Sequence, residues 1–132
     1  MNIKILVSCL VISSLFSHYC HDGTCTVTHK RALVRQSHFY ELVHALKNKH
    51  EKEVWQLLEG IAQQELLMQD YGGRTLLMIA IESGFEKIAL HLVDLMDKQS
   101  LRIYEHNEQT ALGYAYFYHM PMVADAISKK VF

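Results

Sequence analysis

Asp70-Tyr-Gly-Gly-Arg-Thr-Leu-Leu-Met-Ile-Ala-Ile-Glu-Ser-Gly-Phe-Glu-Lys-Ile-Ala-Leu-His-Leu-Val93 holds two short apolar segments divided by a glycine. Gly72-Gly73 marks a turn, and Thr75 stands where its hydroxyl can cap a following helix. Leu77, Ala80 and Ile81 fall on one face at helical spacing, and the small Ala80 lets a second helix come close. Gly84 can take a positive φ and end that helix. Ile88, Ala89, Leu92 and Val93 then form an i, i+1, i+4, i+5 stripe, with Glu86 and Lys87 on the wet side. The segment predicts a turn, a helix, a break and a second helix, and it cannot bury its apolar faces alone.

Fainter copies lie on both sides. Thr75 and Ala80 are followed, thirty-five residues on, by Thr110 and Ala115, and Ala45 stands the same distance before Ala80. Leu42, Leu77 and Leu112 keep that offset, as do Leu57, Leu92 and Ile127, and also Val54, Ala89 and Ala124. A fixed period of this length predicts an all-α chain in which about three helix pairs stack and each covers the next.

The central copy closely resembles a repeat of the ankyrin family. Gly73-Arg-Thr-Leu-Leu-Met-Ile-Ala-Ile-Glu-Ser-Gly84-Phe-Glu-Lys-Ile-Ala89 follows that family's Gly-x-Thr-Pro-Leu-His-x-Ala-Ala-x-x-Gly-His-x-x-Ile-Val, and Leu92-Val93 stands at its Leu-Leu. It departs at Leu76 for the Pro, and at Met78 and Phe85 for the two His. The first copy matches through 45–50 and 54–58 but has no Thr or turn Gly; in the third, Glu105 takes the Asp position, Glu108 the Gly and His119 the second Gly. The period exceeds the family's usual one by about two residues, so second helices or loops must be slightly longer. The resemblance covers 36–132 and implies an ankyrin-type solenoid that binds proteins and does no catalysis.

It also implies where a partner would sit, on a concave face of turn tips and exposed first-helix positions. From the first copy that face takes Gln36, Ser37, Phe39, Lys47 and Asn48; from the second, Tyr71, Gly72, Arg74, Glu82 and Ser83. The third supplies His106, Asn107, Gln109, Phe117 and Tyr118. Tyr114-Ala-Tyr-Phe-Tyr-His119 concentrates aromatic side chains of the kind found at interface hot spots. Tyr114 and Tyr116 are expected to fill core against the second copy, leaving Phe117 and Tyr118 outward. A rival placement packs those two on Val131-Phe132. The apolar ending of the last copy leaves an outer face that is sparsely covered or meets a partner or a second copy of the chain.

The N-terminus reads as an address. One Lys in the first four residues, then the uncharged, largely apolar 5–17, is the layout of a secretory signal peptide, and the run is too short to span a bilayer comfortably. An uncleaved anchor and a buried N-terminal helix are the other readings. Residues 18–35 form an extension or linker. In it, Asp22-Gly23 suits a two-residue hairpin turn that would oppose Cys20 and Cys25 for a disulfide, with Thr26-Val27-Thr28 extending a strand. Two free thiols, or a metal held by Cys20, His21, Cys25 and His29, are the alternatives; adjacent strand residues point apart, which weakens the metal reading.

Composition removes other classes. A formal charge of −1 gives no pull toward nucleic acid or anionic membrane, and the nine His are scattered as surface residues, His44 and His91 among them. No Gly-rich phosphate loop, His-Glu-x-x-His or nucleophile motif is present, so no enzyme and no cofactor is expected. The leading expectation is an exported protein-binding module, secreted or periplasmic, in a bacterial and host-directed setting. A periplasmic accessory subunit that protects or inhibits an enzyme is the second, and a small metal-binding protein using the N-terminal Cys/His cluster is the third.

Overall fold

The computed structural model describes residues 27–132, with side chains from Gln36 onward. The chain divides into units 1–34 and 35–132, and the buried apolar cluster lies in the second. Every regular element among the described residues is helical: α1 (Val27–Lys47), α2 (Glu51–Leu58), α3 (Gln63–Leu66), α4 (Leu76–Glu82), α5 (Glu86–Leu95), a 3-10 turn (Ser100–Arg102), α6 (Ala111–Phe117) and α7 (Pro121–Val131). The signal peptide expected over 1–17 and the Cys20–Cys25 clip lie outside the described residues. Val27 and Thr28, expected to extend a strand, belong instead to α1. The few tenths of a kcal/mol by which β-branched residues disfavour a helix are small beside the cooperative gain of a 21-residue one.

The same local geometry recurs at the thirty-five-residue offset. Thr75 Oγ1 accepts the Met78 N–H at 3.4 Å, and Thr110 Oγ1 accepts the Gly113 N–H at 3.4 Å, each capping the helix it precedes. Gly84 ends α4 at φ +85°, donating to the Ile81 carbonyl while Phe85 N–H reaches back to the Ala80 carbonyl. That is the Schellman arrangement. It is repeated after α1 by Lys49 at φ +58° with His50 bonded to Ala45, and after α6 by His119 at φ +56° with Met120 bonded to Ala115. Only the middle position has the glycine that makes a left-handed residue inexpensive.

The core follows the same columns. α4 is buried on every side up to Ile81, which is why it is apolar all round and not amphipathic. It packs on α5 and α6, while α7 packs on α5 and α6. Ala45, Ala80 and Ala115 are buried, as are Val54, Ala89 and Ala124, within one cluster that runs from Phe39 to Val131. The longer period also has a structural cause. α3 and the 3-10 turn fill the loops between pairs at equivalent places, with Glu65 and Ser100 buried, and Leu66 and Leu101 buried beside them. The Glu65 carboxylate accepts from Ala62 N–H at 2.8 Å and meets His38 Nδ1 at 2.8 Å, so its burial is matched by partners.

Candidate interaction face

The turn before α4 is built around one carboxylate. Asp70 N–H donates to the Arg74 carbonyl and its own carbonyl accepts from Gly73 N–H, both at 2.9 Å. Asp70 Oδ1 accepts the N–H groups of Gly72 (2.9 Å) and Arg74 (3.0 Å), while Oδ2 accepts from Arg74 Nε (3.1 Å) and a terminal guanidinium nitrogen (2.8 Å). Lys47 Nζ, from the end of α1, stands 3.8 Å from the same Oδ2. Burial alone would raise this carboxyl, but the Arg74 guanidinium and the two backbone N–H groups outweigh it and hold Asp70 below the usual carboxylate range. Arg74 also bonds Glu82, tying the turn to the far end of α4.

The turn before α6 copies this frame. Glu105 N–H donates to the Gln109 carbonyl at 2.9 Å, and Glu108 takes the left-handed place of Gly73 at φ +62°. The two turns are joined by His106 N–H to the Gly72 carbonyl at 3.3 Å and by the Gln69 side-chain amide to the Tyr104 carbonyl at 2.9 Å. Gly73 is required twice over. Its φ is +79°, and a Cβ there would stand 2.7 Å from His106 Cδ2.

Three columns cross the last turns of α1, α4 and α6 and the residue just after each: His44, Ile79 and Tyr114; Lys47, Glu82 and Phe117; Asn48, Ser83 and Tyr118. Lys47, Asn48 and Glu82 are exposed, Ser83 and Arg74 are half-buried, and Tyr71, His106, Asn107, Gln109, Phe117 and Tyr118 are exposed. Gln36 and Ser37 are exposed as well. Phe117 is the most open of the α6 aromatics at 70%. Tyr118 stacks on Tyr114 (6.0 Å between centroids, 29° between planes) and meets Phe117 edge-on at 5.1 Å. Burial pushes the Tyr114 phenol up, and the charges of Glu105 and Glu82 add to that while Arg74 opposes it.

Two expected positions are corrected. Phe39 is 0% exposed and belongs to the core, because Phe39, Leu42, Val43 and Leu46 share one i, i+3, i+4, i+7 stripe of α1. Its neighbour Tyr40 takes the outward place and stacks on Tyr71 at 6.0 Å and 28°. Burial, the Tyr71 hydroxyl and the Asp70 charge push the Tyr40 phenol up. Tyr116, expected in the core, is 64% exposed: it occupies the place of the buried Ile81, but no described helix pair covers it. Phe132 is exposed too, so it offers Phe117 little shelter. Asp70, Glu105 and Tyr40 join the face beyond the residues the family pattern implies. The signal for them was the offset itself, since Asp70 and Glu105 are equivalent.

Among the described residues no group of three or more His, Cys, Asp or Glu is placed to hold a metal ion, and no helix is long and apolar enough to cross a membrane. The set Cys20, His21, Cys25 and His29 lies outside the described side chains. Comparison of the chain with protein-family models, curated proteins and solved structures gives no match.

Proposed function

We propose that the chain is a non-catalytic, ankyrin-type binding module, exported by its first seventeen residues, that holds a partner protein on the face formed by the turn tips and the ends of α1, α4 and α6. The observation that supports this is the recurrence of one helix–left-handed residue–helix frame at 49, 84 and 119, with matching turns before α4 and α6 and exposed side chains at the turn tips and at the ends of α1, α4 and α6. A rigid scaffold that repeats its backbone and varies its exposed residues is suited to recognition. Large aromatics at Tyr71, Phe117 and Tyr118 give contact area at low entropic cost. A host-directed factor and a periplasmic subunit that protects or inhibits an enzyme both use such a face. Recovery of the partner from host or from periplasm separates them.

The test is capture by the purified protein, compared with the double variant Phe117→Ala/Tyr118→Ala. Helical circular dichroism should be unchanged, because both side chains are exposed, and capture should fall by at least about tenfold if the pair is a hot spot. Equal capture by both proteins refutes the assignment. A second reading, association of two copies through the α6–α7 pair, is favoured by Tyr116 standing exposed where Ile81 is buried. Sedimentation that is independent of concentration and of Tyr116→Glu would remove it.

A further inference from the structure

α7 carries a stripe that the core does not use. Met122, Asp125, Lys129 and Phe132 lie at i, i+3, i+7 and i+10, which is one face of a helix. Phe132 N–H still bonds the Ser128 carbonyl at 2.9 Å, so the last of them keeps the helical line. All four are exposed, Met122 at 63% and Phe132 at 90%, while Val123, Ala124, Ile127 and Val131 take the core side. The second pair does not share this chemistry: Lys87 and Asp97 hold the places of Met122 and Phe132. Trp55, in the column of Asp125, meets the His91 ring of the following pair at 5.3 Å between centroids, so that column lies toward the next pair in the stack. The turn of the last pair, by contrast, is closed to a further copy stacked in register. A Cβ at Gly73 would stand 2.7 Å from His106 Cδ2, and Glu108 brings such a carbon to the same left-handed place at φ +62°. Gln69, whose amide bonds the next turn's Tyr104 carbonyl, is itself replaced by Tyr104 one copy later. Head-to-tail addition, the route to open filaments, therefore loses its turn contacts.

We propose that two copies of the chain pair through α7, antiparallel about a two-fold axis beside Ile127, with Met122 of each against Phe132 of the other and Asp125 of each against Lys129 of the other. The inference rests on the second reading above, association of two copies, and adds its surface and its register. A two-fold interface needs one patch that complements itself, and the order apolar, acid, base, apolar does so in a single antiparallel register. A parallel arrangement would set Asp125 against Asp125 and Lys129 against Lys129. Asp125 and Lys129 already form an ion pair at 2.7 Å within the helix, with side chains 62% and 75% exposed. Exchanging these partners between copies changes the energy little, so the charges set orientation while the apolar ends supply the attraction. The stripe is narrow, which places the pairing among weak, reversible interfaces.

The test is sedimentation equilibrium of the purified protein from about 5 to 500 μM, a range that covers weak pairing. The expected result is a monomer–dimer equilibrium without larger species. Asp125→Lys and Lys129→Asp each set like charges opposite one another twice per dimer, and each alone should weaken pairing at least about tenfold. An equimolar mixture of the two variants should pair within about threefold of the wild type, because every facing contact is again between opposite charges. Both residues are exposed, so unchanged circular dichroism distinguishes weakened pairing from unfolding. Dimers that survive in both single variants overturn the inference, as does pairing lost in both and not restored by mixing; either result leaves the association of copies standing. Growth beyond the dimer also overturns it, in favour of head-to-tail addition. A monomer throughout the range removes the inference and the second reading together.

Discussion

Replacing Asp70 with Asn separates the two halves of its hydrogen bonding. Oδ1 takes both backbone N–H groups, and an Asn carbonyl can go on accepting them. Oδ2 takes both guanidinium nitrogens, and there Asn presents an NH2 group to other donors. The side chain of Asp70 is 5% exposed and that of Arg74 22% exposed, so the pair is screened less than a surface one. Two charge-assisted bonds are lost, but Arg74 keeps Glu82 and some solvent, which gives a net cost of about 2 kcal/mol. For a domain of this size that is about 8–16 °C in melting temperature at neutral pH. Glu105→Gln, with no cation to lose, should cost clearly less than Asp70→Asn. The pH dependence has a definite sign. Asp70 is depressed in the folded state, so its contribution is complete above the ordinary carboxylate pKa of about 3.9 and is lost as pH falls through the folded value. Thermal and urea unfolding followed by circular dichroism should therefore show the wild type and Asp70→Asn well apart at pH 7 and converging below about pH 4. Equal losses from Asp70→Asn and Glu105→Gln at pH 7 would refute the claim that the two turns are electrostatically different.

His119→Gly removes a side chain from a left-handed residue at φ +56° and should stabilise by about 1 kcal/mol, whereas Gly84→Ala, at φ +85° with open space around the added carbon, should cost a similar amount by backbone strain alone. Chemical denaturation of both variants reads the pair of opposite signs, and a shift of the same sign in both would count against the shared helix ending. Leu92→Ala, deep between α5 and its neighbours, should cost about 3–5 kcal/mol by the usual cavity penalty and should be visible as a lowered urea midpoint with unchanged slope.

Residues whose role is local are legible from the sequence. Thr75, Gly84 and the Leu77, Ala80, Ile81 stripe declare a cap, a stop and a buried face through backbone and side-chain physics within a few positions. The left-handed roles of Glu108 and His119 were readable only by register, because their own chemistry disfavours that conformation. Phe39 shows where register alone misleads. Carried from a family pattern it faced a partner, but the apolar spacing of Phe39, Leu42, Val43 and Leu46 puts it inside. Tyr116 failed for the opposite reason: its equivalent Ile81 is core only because another helix pair follows. α3 and the 3-10 turn were hidden because a single helical turn has too few residues for a periodic signal, although the surplus in the period required something there. Cross-copy charge pairing was the least legible feature. Lys47 with Asp70, and its absence at Glu82 with Glu105, involves residues far apart in sequence whose meeting depends on how one pair sits on the next.

The central claim, a partner held on the turn-tip and first-helix side, is tested most directly by site-specific photo-crosslinking. A photoreactive residue at Asn48 or Phe117 lies on that side, and one at Lys87 or Asp125 lies exposed on α5 or α7. The expected result is a covalent adduct with the same partner from positions 48 and 117 and none with it from 87 and 125. Adducts with it from 87 or 125 alone, or equally from all four, would contradict the account.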